Sequence, residues 1–192
     1  MKLRAVFVLL GIIVLAVPVA TAPPAEPAGP AQAPSLAPYV PTPPEVVERM
    51  LTLAGISADD VVYDLGCGDG RIPITAATKY GARGVGVDID PERIKESVAN
   101  AKAAGVEHLV TFRLQDAMTV DVTDATVVTL YLLSSSNAKL RPILTRQLKP
   151  GARIVSHQFD MGDWVPLKTE RFTDASGYAR TLYLWKADGV AR

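Results

Sequence analysis

Apolar positions along the chain follow two rhythms. Short, nearly continuous apolar runs occur at Val61–Leu65, Gly84–Asp90, His108–Leu114, Ala125–Leu133 and Ala152–Phe159. Runs of this length, rich in β-branched residues, predict strands buried on both faces. Between them the apolar residues return every three or four positions. Val46, Val47, Met50, Leu51 and Ala54 line one face of a helix over Glu45–Gly55. Ile72, Ile74, Ala76 and Ala77 do so over Arg71–Tyr80, with Pro73 in the first turn. Ile94, Val98 and Ala101 do so over Pro91–Ala104, and Leu140, Ile143, Leu144 and Leu148 mark a helix ending at Leu148. Gly55, Gly81 and Gly105 stop the first three. The last two strand-like segments, Lys168–Phe172 and Ala179–Trp185, have no helix between them and predict a hairpin. Strands alternating with helices predict an α/β fold. It is a Rossmann-like, seven-stranded, mostly parallel sheet with helices on both faces and an antiparallel C-terminal hairpin.

Local chemistry sharpens several boundaries. Thr42 is placed to cap the first helix, with Pro43 at its first position and Glu45 at its third. Asp90 is placed to cap the third. Ser134-Ser135-Ser136-Asn137 reads as a polar turn, and Asp121 and Asp124 read as solvated residues flanking a turn. Ahead of the first helix the composition changes twice. Residues 1–22 have a basic start (Lys2, Arg4) and an apolar run with a small-residue end, the pattern of a signal peptide or an N-terminal membrane anchor. The order of charge and apolar run places the rest of the chain outside the cytoplasm, exported or anchored, with residues 3–19 as the membrane-associating stretch. Residues 23–41 form a Pro/Ala-rich linker, semi-rigid and without a core. Residues 42–192 form the folded domain.

Across 192 residues, 20 basic side chains balance 20 acidic ones, so overall charge gives no case for a nucleic-acid partner. The single Cys67 excludes an intrachain disulfide framework. No cluster has metal-ligand spacing, and no metal is expected.

The stretch that carries chemistry is Val61 to Gly70. An apolar strand ends in Asp64, and glycines follow at Gly66, Gly68 and Gly70. A dinucleotide fingerprint spaces its glycines differently and puts pyrophosphate at the helix start. An acid ahead of the turn would repel a pyrophosphate and suits a ligand with an ammonium group, which points to S-adenosylmethionine. Asp88, followed by Ile89, lies at the end of the second strand, 18 residues beyond Gly70, near the spacing of a ribose-binding carboxylate. Asp116, followed by Ala117, ends the third strand, where an acid accepts from an adenine amino group. Cys67 reads as a small residue beside the ligand. On the acceptor side stand Tyr131, which either orients an amine or is a core tyrosine at a strand end, His157, read as a satisfied residue near the sheet end, and Asp160 and Trp164, which either line a channel or cap a loop. The fourth strand reads Leu130-Tyr131-Leu132-Leu133. It lacks the Asn/Asp-Pro-Pro-aromatic run common in enzymes that methylate exocyclic base amines.

Three stretches carry a narrower likeness: Tyr39-Val40-Pro41-Thr42-Pro43, Tyr63 through Ile72, and Gly84-Val85-Gly86-Val87-Asp88. From Tyr39 to about Lys168 the chain resembles the class I (seven-β-strand) S-adenosylmethionine-dependent methyltransferases. Within them it is similar to the small protein-lysine methyltransferases of the mitochondrial adenine-nucleotide-translocase and ATP-synthase c-subunit type and their prokaryotic relatives. The resemblance implies that Tyr39 and Thr42 close over the methionine end of the donor. It implies that Asp64 and Gly66 hold the donor's amino-acid moiety, Asp88 its ribose and Asp116 its adenine, with Gly68, Ile89 and Ala117 also in the cofactor site and a protein lysine as acceptor. It departs from the pattern after the fourth strand, at Leu132-Leu133-Ser134-Ser135-Ser136, where acceptor choice is made. A small-molecule acceptor and a non-catalytic donor-binding protein stay open. An exported chain would also be separated from a donor made in the cytoplasm.

Overall fold

The computed structural model describes residues 35–191. The signal or anchor expected at 1–22, and most of the linker, lie outside the described residues. The order is α1 (Pro44–Ala54), β1 (Val61–Leu65), α2 (Arg71–Tyr80), β2 (Arg83–Asp88), α3 (Pro91–Ala103) and β3 (Val110–Leu114). A short 3-10 turn (Ala117–Thr119), β4 (Val127–Leu130), α4 (Ser134–Gln147), β5 (Arg153–His157), β6 (Lys168–Thr173) and β7 (Ala179–Lys186) complete it. The sheet runs β3-β2-β1-β4-β5-β7-β6. β1 through β5 are parallel, and β7 pairs antiparallel with both β5 and β6. The expected seven-stranded sheet with a closing hairpin is what the chain builds.

Alternation along each strand splits the core in two. Tyr63, Leu65, Val128, Leu130, Ile154 and Trp185 face α4 with Leu140 and Leu144. Val62, Val127, Val155 and Leu182 face the other way and pack with Val46, Met50 and Leu51 of α1 and Ile72 and Ala76 of α2. Every residue of β1 is buried, which explains its continuous apolar run. The sheet order reverses between β1 and β4. In open α/β sheets a crevice forms there, beyond the carboxyl ends of the strands.

At the opposite end, Asp60 ties three elements together. It accepts from the Thr126 hydroxyl at 2.6 Å and pairs with Arg153, whose guanidinium also donates to the Ala54 carbonyl at 2.7 Å, at the end of α1. Burial pushes the Asp60 carboxyl up, but Thr126, the Ser57 amide and Arg153 together hold it below the usual carboxylate value.

Three expectations need correction. Thr42 does not cap α1. Pro43 occupies the cap position with φ −57° and ψ 146°, and Pro44 is the first helical residue, so the Thr42 hydroxyl is one residue out of register and is buried instead. Ser134–Asn137 is the first turn of α4, not a connecting turn. Its polar groups serve tertiary partners: Ser136 donates to the Leu36 carbonyl, and buried Asn137 donates to Ser156 Oγ and the carbonyls of Phe159 and Asp160. Val98 is exposed, and Ser97 takes the buried place on α3 beneath Gly70. Asp124 is exposed in a turn, as expected, and also accepts a 2.7 Å bond from the Tyr63 hydroxyl. The cap expected at Asp90 is present, accepting from the Glu92 amide at 2.9 Å.

Candidate active site

The crevice at the switch point is a cleft of about 560 Å³. Tyr39, Thr42, Asp64, Gly66, Gly68, Asp88, Ile89, Asp116, Ala117 and Tyr131 all line it, so every candidate donor-site residue read from the chain meets Tyr131 there. Residues 35–42 form one wall, crossing above the glycine turn.

The turn after β1 is built by backbone. The amides of Gly66 and Cys67 both donate to the Val87 carbonyl at 2.9 Å, which brings the loop over the end of β2. Gly68 has φ 53°, and a Cβ there would stand 2.5 Å from the ring of Tyr39. Only glycine allows both the dihedral and the close approach. The result is a cradle floored by backbone and roofed by an aromatic ring. The Arg93 guanidinium lies 4.6 Å from the centroid of that ring.

The acids are held in different ways. Asp64 is buried and accepts a 2.7 Å bond from the Thr129 hydroxyl. Burial pushes its carboxyl up to about 7, with Asp88 and Asp69 adding to the rise and Thr129 opposing it. Such a carboxylate calls for a cationic partner. Asp88 accepts from the Gly68 amide at 2.9 Å through one oxygen and from the Asp90 amide at 3.0 Å through the other. A carboxylate has about four lone-pair sites, so Asp88 both braces the glycine turn and keeps acceptor capacity for the cleft. Asp116 caps the 3-10 turn through the Met118 amide at 2.9 Å.

A clamp within the glycine turn escaped the sequence reading. Asp69 binds Arg71 through several hydrogen bonds, and Arg71 reaches on to the Thr42 carbonyl at 2.8 Å. This links the turn to the overlying segment. Burial raises the Asp69 carboxyl, yet its bonds to Arg71 hold it below the usual range. The Asp-x-Arg spacing inside the turn was the available signal. Cys67 is buried, and burial, with Asp64 and Asp88 nearby, pushes its thiol up, which makes it inert as a nucleophile.

Beyond the end of β4, Tyr131 meets His157 with ring centroids 3.9 Å apart, and Phe159 at 6.2 Å. His157 is not the satisfied residue expected: neither ring nitrogen has a hydrogen-bond partner among the described residues. Gln158, between His157 and Phe159, has φ 68°, alone in this among the described non-glycine residues. Such a backbone costs about 1–3 kcal/mol and concentrates at functional sites. Neither Asp160 nor Trp164 lines the cleft. Asp160 accepts from the Gly162 amide, and Trp164 packs on Trp185 and accepts its indole N–H at 2.7 Å. Among the described residues no group of side chains could hold a metal ion.

A cradle that a Cβ would fill, a buried acid suited to an ammonium and strand-end acids beyond it fit S-adenosylmethionine. Comparison with known proteins agrees. Residues 64–168 match the model of the ANTKMT methyltransferase domain family. The chain is 47% identical over 149 residues to a protein-lysine N-methyltransferase of Saccharolobus islandicus (strain REY15A), covering 77% of this chain and 92% of that one. It is 32% identical over 129 residues to the ATP synthase c-subunit lysine N-methyltransferase of Xenopus laevis, covering 67% of this chain but only 56% of that one. Among solved structures, an RNA methyltransferase from Salinibacter ruber in complex with S-adenosyl-L-homocysteine is 54% identical. It superposes with a TM-score of 0.74 over 80% of this chain and 97% of that one. The chain belongs to the ANTKMT methyltransferase domain family and is an S-adenosylmethionine-dependent methyltransferase.

Proposed function

We propose that the enzyme transfers the methyl group to the side-chain amine of a protein lysine. The observation that carries this reading is the charge of the cleft. Its lining holds five aspartates (Asp64, Asp69, Asp88, Asp90 and Asp116) against two arginines, Arg71 and Arg93. Both arginines are engaged, Arg71 with Asp69 and Arg93 with Glu96. With Asp69 and Asp90 paired to those arginines, the charge left is that of Asp64, Asp88 and Asp116, which suits a cationic donor, and the described lining keeps no unpaired cation to hold a phosphate backbone. The lysine-methylating relatives from Saccharolobus and Xenopus support the same reading. The donor supplies an electrophilic methyl on sulfur, and the protein's part is to bind, orient and exclude water.

In this reading Asp64, with Gly66 and Gly68, takes the donor's amino-acid moiety. Asp88 and Ile89 take its ribose, Asp116 and Ala117 its adenine, and Tyr39 and Thr42 cover its methionine end. Tyr131 faces the acceptor. The 54% identical relative described as an RNA methyltransferase favours a second reading, an RNA acceptor. Transfer of labelled methyl into a cell lysate, followed by separation of protein, RNA and small molecules, distinguishes them. Label in protein supports the lysine reading. Label confined to RNA or to small molecules overturns it.

A further inference from the structure

The end of β5 holds a group for which donor binding has no use. His157 is fully buried, and among the described residues neither ring nitrogen has a protein partner. Folds rarely keep such atoms, and a leucine or phenylalanine would fill the place without them. What the imidazole does have is a stacking neighbour. Leu130 is paired with Ser156 in the β4–β5 register, so the next residues, Tyr131 and His157, come side by side. Their rings lie 3.9 Å apart at 33°.

The chain then spends a strained turn to bring a third ring to the same place. Gln158 takes its left-handed conformation, and the Phe159 amide donates back to the His157 carbonyl at 2.9 Å. The turn is pinned to β7: the Gln158 amide donates to the Thr181 carbonyl at 2.7 Å, and its side-chain oxygen accepts from the Thr181 amide at 3.3 Å. Phe159 emerges stacked on Tyr131 at 27°. Arg180 and Asp174, paired with each other at 2.7 Å, are the charged groups that act on His157. Burial and Arg180 push the imidazole down to about 4, with Asp174 opposing, so it adds no positive charge beside a cationic donor.

We propose that His157 is a positioning residue: together with Phe159 it fixes the plane of Tyr131, and Tyr131 is the wall of the cleft against which the acceptor nitrogen is presented. His157 is shielded from the cleft and does not touch the acceptor itself. A fixed aromatic face suits an amine that carries charge before transfer and gains methyl groups after it. The inference rests on reading this end of the cleft as the acceptor side, but not on the acceptor being lysine.

The test uses the full chain with His157→Leu, His157→Phe and Tyr131→Ala. Methyl transfer is followed into whichever lysate fraction the wild type labels, beside calorimetric affinity for S-adenosyl-L-homocysteine and the aromatic NMR signals of Tyr131. His157→Leu should lower kcat/KM tenfold or more, leave product affinity within threefold, and move the Tyr131 signals as the ring current of the imidazole is lost. His157→Phe should recover transfer to within threefold of wild type, and Tyr131→Ala should lose it. Unchanged transfer in His157→Leu or Tyr131→Ala overturns the proposal, as does an equal loss of product affinity. If the leucine variant does not fold, the phenylalanine variant decides alone, a tenfold loss being the contrary result. If the wild type labels no fraction, the lysine reading has failed on its own terms. The Tyr131 ring then decides this one: faster ring flipping in His157→Leu, read from the line shapes of its ring protons, supports it, and a ring held as in the wild type overturns it.

Discussion

Asp64 should make donor binding depend on pH in a way few other residues here can imitate. Its buried carboxyl sits at about 7 without ligand. The donor and its demethylated product both carry an amino group, and pairing with that cation requires the ionised acid. With half-ionisation at 7, roughly one-eleventh of the free protein is ionised at pH 6 and ten-elevenths at pH 8. Affinity for S-adenosyl-L-homocysteine should therefore rise about tenfold across that interval, or ~1.4 kcal/mol. Asp64→Asn should flatten this component and weaken binding at pH 8 by about 1.5–3 kcal/mol, the range for a hydrogen bond to a charged group. The ligand's own titration remains in the variant, so the slope lost on substitution belongs to Asp64. Stability moves the other way. The folded state binds the proton more tightly than the unfolded one, so between pH 3.8 and about 7 the folded state loses stability as pH rises, and above 7 the loss is complete. Asp64→Asn should thus raise the Tm of the free enzyme at pH 8 while weakening the ligand. Isothermal calorimetry from pH 6 to 8 decides it. Affinity independent of pH in the wild type, or an unaltered slope in Asp64→Asn, would refute the pairing.

Gly68→Ala should force a Cβ against the Tyr39 ring, where it would stand at 2.5 Å, and hold a strained φ. We expect at least tenfold weaker donor binding by calorimetry and a loss of about 1–2 kcal/mol of stability, and equal binding would show that Tyr39 does not roof the site. Arg71→Met should leave the Thr42 carbonyl and Asp69 without their partner, at about 1–3 kcal/mol. Hydrogen exchange should quicken in residues 35–43 while the amides of β1 and β4 keep their protection. Arg153→Met should leave Asp60 buried without its cation, at about 3 kcal/mol by urea unfolding at pH 7. Because the Asp60 carboxyl is depressed in the folded state, its contribution is present above pH 3.8 and lost as pH falls through the folded value, so the gap from wild type should close in acid.

The donor half of the cleft was legible because its residues are local signals on regular elements. Asp64, Asp88 and Asp116 each mark the end of a strand that an apolar run announces, and parallel strands bring their ends to one edge. The glycines needed only their spacing. What failed did so where partners are distant in sequence. Two adjacent prolines, Pro43 and Pro44, can each begin a helix, and only the buried side chain of Thr42 decides between them. Ser136 and Asn137 look like solvent-facing turn residues until Leu36, Ser156 and Phe159 come within reach. Val98 and Ser97 exchange roles because Phe112 and Gly70 crowd that face of α3 and favour the smaller side chain. The stack of Tyr131, His157 and Phe159 depends on the β4–β5 register and on a left-handed Gln158, neither of which leaves a periodic trace.

The central claim is best tested on the product. Protein labelled by the enzyme with methyl-labelled donor should be hydrolysed completely and the labelled component identified by chromatography and mass. Methylated lysine is the predicted result, and it should be absent with Tyr131→Ala. Label recovered as a methylated nucleoside, or as a methylated residue other than lysine, would contradict the account.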